Sequence, residues 1–193
     1  MTVGRRPGDG IATHIPLEVK MSNVRVVPWQ DGEPAPEALL AAMRARRPGG
    51  ELIGIDRVLL RSEPLAAGWN ELLRRVRADF SLPLVLRELI MLRVAVLNGA
   101  DFEWHVHYPA YLAAGGTRAQ SEALRAAEVD SRLFGDAERA LIRLTDQSTR
   151  QVRVDADVIA ELTLHFGETQ TIEAVATAAA YNMVSRFLVA LGI

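Results

Sequence analysis

Between Pro83 and Leu97 nearly every residue is apolar, and the exceptions fall at helical spacing. Glu88 lies among Leu84, Val85, Met91, Leu92 and Ala95, the stripe of a helix that faces a core. Asn98-Gly99 is a natural helix stop, so the chain is expected to turn back as an antiparallel helix from about Asp101 to Ala114, ended by Gly115-Gly116. Glu103 and His107 stand at i and i+4 and so share one face of that second helix.

The same period, with its caps and breakers, divides the rest of the chain. Glu37 to Arg46 reads as a helix ended by Pro48-Gly49-Gly50, and Ser62 caps a helix from Glu63 to Asp79 that buries Leu65, Trp69, Leu72, Leu73 and Val76. Thr117 with Gln120 forms a capping box for a short helix to Ala126; Asp136 caps another from Ala137 to about Arg150. Asp155 opens a helix that ends at Phe166-Gly167, and Glu168 to Leu191 is a long terminal helix with Ile172, Val175, Ala179, Met183, Phe187 and Leu191 on one side. The only hint of a strand is Leu52 to Ile55. Residues 1–22, rich in Gly, Pro and Arg and without periodicity, read as a disordered leader, leaving 23–193 as one all-α domain of about seven to eight helices.

Composition narrows the chemistry. With 193 residues, 49% of them hydrophobic, the chain can bury a substantial core, and a formal charge of −2 gives no reason to expect nucleic acid or an anionic membrane as partner. No long apolar run escapes charge and no secretory signal is read in the first twenty residues, so a cytoplasmic location is the default. There is no cysteine, which excludes disulfides, thiolate metal ligation and any thiol peroxidase cycle of the chain's own.

A carboxylate at Glu88 must be paired, wetted or protonated, and the turn at Asn98-Gly99 brings it towards Glu103 and His107. An imidazole beside carboxylates suits proton transfer near neutral pH. In this reading Glu103, one turn from His107, orients the imidazole, and Glu88, in the most apolar setting, is the proton donor with a raised pKa. Blander readings stand beside it: Glu88 as the structural partner of Arg87, Arg93 or Arg186, and Glu103–His107 as a surface pair. His105 faces the opposite side of the helix from His107, so a His-x-His chelate is not expected.

Leu86-Arg87-Glu88-Leu89, Asn98-Gly99, Phe102-Glu103-Trp104 and His107 together resemble the core of the carboxymuconolactone decarboxylase family, whose superfamily also holds the alkylhydroperoxidase D proteins. The resemblance covers Ser62 to Gly116, and the helices through Tyr181-Asn182 and Arg186 suit it in length and order. It implies an all-helical oligomer with a pocket near the motif helices. Redox members carry Cys-x-x-Cys, a histidine four residues later and an upstream glutamate. Here Glu88 and His107 match the glutamate and histidine, while Ala100 and Glu103 occupy the cysteine positions. The decarboxylase branch, as the resemblance implies, works without metal or organic cofactor on small carboxylated lactones. That makes Glu88, Glu103 and His107 the expected catalytic set, with Trp104, Tyr108, Tyr111 and Tyr181 as substrate contacts. The expected partners are a small-molecule substrate and, through the apolar terminal helix, at least a second copy of the chain. Two alternatives remain open: a metal-binding Glu/Glu/His variant, and a non-catalytic helical binding or assembly protein.

Overall fold

The computed structural model describes residues 24–193, so the expected leader lies outside the described residues. Eight α-helices follow one another: α1 Glu37–Ala45, α2 Gly54–Leu59, α3 Glu63–Ala78, α4 Leu84–Asn98, α5 Asp101–Ala113, α6 Arg118–Arg125, α7 Asp136–Gln151 and α8 Ala156–Leu191. No strand occurs among the described residues, and the stretch suspected of being one leads into α2 instead. Asp56 explains the difference: its carboxylate accepts from the Ile53 backbone N–H at 3.1 Å and so closes the first turn of a helix.

α4 is the hub. Every side chain from Arg87 to Ala95 is buried, and the helix packs against α5, α6, α7 and α8. Each fully buried aliphatic side chain in that run contributes roughly 1.5–3 kcal/mol. Two of its polar residues are tied to backbone. Arg87 donates to the carbonyls of Val76, Arg77 and Leu82, which fastens the end of α3 onto α4. Arg93, with no exposed surface, holds both Asp146 oxygens at 2.6 and 2.7 Å and the carbonyls of Leu124 and Ala126, joining α4 to α6 and α7.

The turns behave as their residues require. Gly99 takes φ 64°, the left-handed conformation that ends α4, and the chain reverses directly into α5. Thr117 and Gln120 exchange their reciprocal capping bonds, both at 3.1 Å. α8 is interrupted where the sequence has Gly167, at φ 72° and ψ 174°, so it consists of two helical stretches in line with the expected break.

α8 is long and apolar enough by composition to cross a membrane, yet half of its most apolar stretch is buried within this fold. The structure decides which of its apolar faces is buried. Thr171, Ala174, Ala178, Tyr181, Ser185 and Leu188 pack inward, whereas Ile172, Val175 and Met183 are 68%, 37% and 40% exposed. Small side chains let α8 approach α4 and α7 closely, and that packing outweighs side-chain size in choosing the face. On α3, likewise, Ala66, Trp69, Asn70, Leu73 and Val76 are buried while Leu65 and Leu72 are exposed.

Candidate active site

α1 to α3 lie beside the α4/α5/α8 core, and a cavity of about 310 Å³ opens between the two layers. Its core wall carries Glu88 of α4, Glu103, Val106 and His107 of α5, and Val184 and Leu188 of α8. The opposite wall carries Ile53, Ile55, Trp69 and the arginines 46, 47, 74 and 77. The three acid–base residues read from the sequence are thus brought to one cavity. Glu88, Glu103 and His107 are only 5%, 2% and 7% exposed.

Their pairing is the reverse of the expected one. The α4–α5 hairpin sets His107 Nδ1 2.8 Å from Glu88 Oε2, so Glu88 is the residue that orients the ring. With Nδ1–H donated to Glu88, Nε2 is left as a basic lone pair on a ring that lines the cavity. Tyr181, fully buried, packs edge-on against the imidazole with ring centroids 5.0 Å apart.

Glu103 does not reach His107 along its helix, because its carboxyl is drawn across to Ser185 of α8. Ser185 Oγ is hydrogen bonded to Glu103 Oε2 and lies 2.7 Å from the Tyr181 carbonyl. A serine hydroxyl has one proton and the carbonyl can only accept, so both contacts are satisfied when Glu103 is protonated and donates to Ser185. Oε1 of Glu103 is buried without a partner among the described residues, a large cost for an ionised carboxylate. Burial pushes the Glu103 pKa up to about 7, against the lowering effects of the Arg77 charge and of Ser185 when its hydroxyl donates to the ionised carboxylate instead. Glu103 is therefore the carboxyl that burial keeps partly protonated near neutral pH.

Several functional groups escaped the sequence reading. Arg77 donates from Nε to the Tyr181 hydroxyl at 2.8 Å, and burial pushes the Tyr181 pKa up to about 12. Arg46 and Arg47 converge on the fully buried Asp56. Arg46, Arg47 and Arg77 sit where no apolar period marks them, and only the packing of α1–α3 on the core reveals that they line the cavity with Glu103.

The aromatic candidates divide. Trp104 stacks on Tyr108 at 5.9 Å beneath the Arg125 guanidinium, and neither ring lines the cavity. Tyr111 is fully buried with its hydroxyl 3.3 Å from Gln120, also away from the cavity. Trp104 and Tyr111 lie near the His107 side of α5 by helical period, but Arg125 and Gln120 of α6 take up their rings and tips, and only Tyr181 packs on His107. Asn182 bridges Asn98 and Thr149 as a structural amide. Arg87, Arg93 and Arg186 all have partners other than Glu88. Among the described residues no three His, Asp or Glu side chains converge closely enough to hold a metal ion, so the geometry does not favour the Glu/Glu/His metal reading.

Comparison with known proteins agrees with this architecture. Residues 63–147 match the model of the carboxymuconolactone decarboxylase family. The fold is similar to that of a protein of unknown function from Agrobacterium tumefaciens, described as a candidate antioxidant defence protein AhpD (21% identity, 68% of this chain and 91% of that one, TM-score 0.62). It is also similar to the debrominase Bmp8, solved as a cysteine-to-alanine variant in complex with 2,3,4-tribromopyrrole (20% identity, 88% and 90% covered, TM-score 0.71). A third similar structure is an uncharacterized peroxidase-related protein from Silicibacter sp. TM1040 (15% identity, 86% and 90% covered, TM-score 0.71). No curated protein sequence matches the chain.

Proposed function

Because residues 63–147 match the carboxymuconolactone decarboxylase family, we propose that the protein is a cofactor-independent decarboxylase, lyase or isomerase acting on a small carboxylated keto or lactone substrate. The observation that carries this reading is a base and an acid side by side on one wall of the cavity: His107 oriented by Glu88, and Glu103 kept partly protonated near neutral pH by burial. In an isomerisation, Nε2 of His107 takes a proton from the carbon next to the carbonyl. The electron pair moves into the conjugated system, and Glu103 returns a proton at its far end. In a decarboxylation the carbon–carbon bond to the leaving carboxylate breaks, its electron pair passes into the neighbouring carbonyl, and Glu103 protonates the resulting enolate before recovering a proton from solvent. With no cysteine in the chain, the peroxidase and antioxidant descriptions of similar folds carry no thiol chemistry here.

A panel of carboxylated butenolides and β-keto acids, followed in D₂O by proton NMR with capture of released carbon dioxide, tests this. The wild type is expected to turn over at least one member, and E103Q and H107A each to lose at least about 100-fold. No turnover across the panel, or turnover undiminished in both variants, contradicts it.

The exposed apolar stripe of α8 supports a second copy of this chain as partner. Ile172, Val175 and Met183 lie along one side of a single helix, which a two-fold related helix would cover with the same residues. Light scattering at micromolar concentration should give at least the dimer mass for the wild type and about one chain for I172E/M183E. A wild-type mass of one chain contradicts the assembly.

A further inference from the structure

The four arginines on the cavity wall are not equivalent. Arg46 is spent on Asn70 and Asp56, both at 2.6 Å, and Arg47 holds the same Asp56 with two nitrogens at 2.8 Å. Arg74 is shared between Glu71 and Asp79, each at 3.1 Å. Arg77 differs. Its Nε is used by the Tyr181 hydroxyl, and among the described residues its Nη1 and Nη2 have no acceptor and no carboxylate lies within ion-pair distance. Its place is fixed at both ends: Arg87 grips the backbone carbonyls of Val76 and Arg77 at 2.7 and 2.6 Å, and Tyr181 is fully buried.

A guanidinium held by Nε offers its two terminal nitrogens as a preformed fork, the geometry that fits a carboxylate. Glu103 lines the same cavity, its Oε1 buried and without a partner among the described residues. An unfilled donor pair on Arg77, in a cavity whose other arginines are already paired, asks for a ligand with an anionic end, and the Glu103 carboxyl and His107 ring on the facing wall ask for a second, polar end. We propose that Arg77 is the carboxylate-binding residue of this cavity, and that the ligand is a small carboxylate, apolar in its body, whose second polar group lies at Glu103 and His107. This rests on the cavity being the active site, as proposed above, and adds where the substrate is anchored.

It also constrains the reaction. A carboxylate paired with a guanidinium is stabilised as the anion and resists losing carbon dioxide. The group on Arg77 is therefore an anchor that survives turnover. A substrate with one carboxylate is isomerised. One that is decarboxylated carries a second carboxyl, placed against the apolar wall of Val106, Val184 and Leu188.

Benzoate and its neutral isostere benzamide separate charge recognition from shape. By isothermal titration calorimetry the wild type should bind benzoate at least about tenfold more tightly than benzamide. R77Q should erase that preference with benzamide affinity little changed, R77K should keep part of it, and E103Q should keep it whole. Equal affinities in the wild type, no benzoate binding by the wild type, or an undiminished preference in R77Q or in R77K with R77Q unfolded overturns the anchor. The two readings fail separately: loss of preference in R77Q beside unchanged turnover in E103Q and H107A sinks the acid–base reading alone, and the converse sinks the anchor alone.

Discussion

Replacing Glu103 by glutamine is expected to make the protein more stable than the wild type above neutral pH and to leave it nearly unchanged at about pH 4.5. The Glu103 carboxyl has an ordinary value of 4.5 and is raised to about 7 in the folded chain. Between those values the folded state holds a proton that the unfolded state has released, so wild-type stability falls as pH rises and levels off above the folded pKa. The window spans enough pH for a contribution of about 3 kcal/mol. Glutamine keeps the shape and cannot ionise, so that contribution disappears. Urea unfolding of both proteins across this range, plotted as the difference in stability against pH, should rise through the window and then flatten. A flat difference curve would mean that Glu103 ionises as freely folded as unfolded.

The second large effect belongs to structure alone. R93M should cost about 3–5 kcal/mol, because it removes the bidentate partner of Asp146, which keeps only Arg150 at 3.8 Å, and leaves the carbonyls of Leu124 and Ala126 without donors at the junction of α4, α6 and α7. D146N should cost less, since Asp146 is partly exposed and Arg93 would keep its carbonyl partners. Chemical denaturation followed by circular dichroism measures both. An R93M variant within about 0.5 kcal/mol of wild type would show that the linkage carries little of the fold's stability.

The contrast between these residues shows what the sequence made legible. Helix ends were readable because local chemistry decides them: Gly99 and Gly167 must supply positive φ, and Thr117 with Gln120 closes a cap within four residues. That Glu88, Glu103 and His107 would be buried near one another also followed from spacing, since two helices joined by a tight turn have little freedom. Which carboxylate would meet the imidazole did not follow. Helical spacing allows Glu103 to reach His107, but Ser185, eighty-two residues further on, captures it. Periodicity likewise left open which apolar face of α8 packs inward: close packing takes Ala174, Ala178 and Ser185, while Ile172 and Met183 stay exposed. Arg77 and the Asp56 cluster lie on the α1–α3 layer, and their role depends on a tertiary contact that no local pattern encodes.

The acid of the proposed site depends on one protonation state, and the carboxyl carbon of Glu103 reports it directly. In protein labelled with ¹³C at glutamate side-chain carboxyls, the resonance missing from E103Q should titrate with a midpoint near the value of about 7 that its burial imposes. A midpoint near the ordinary glutamate value of 4.5 would contradict the assignment of Glu103 as the acid of this site.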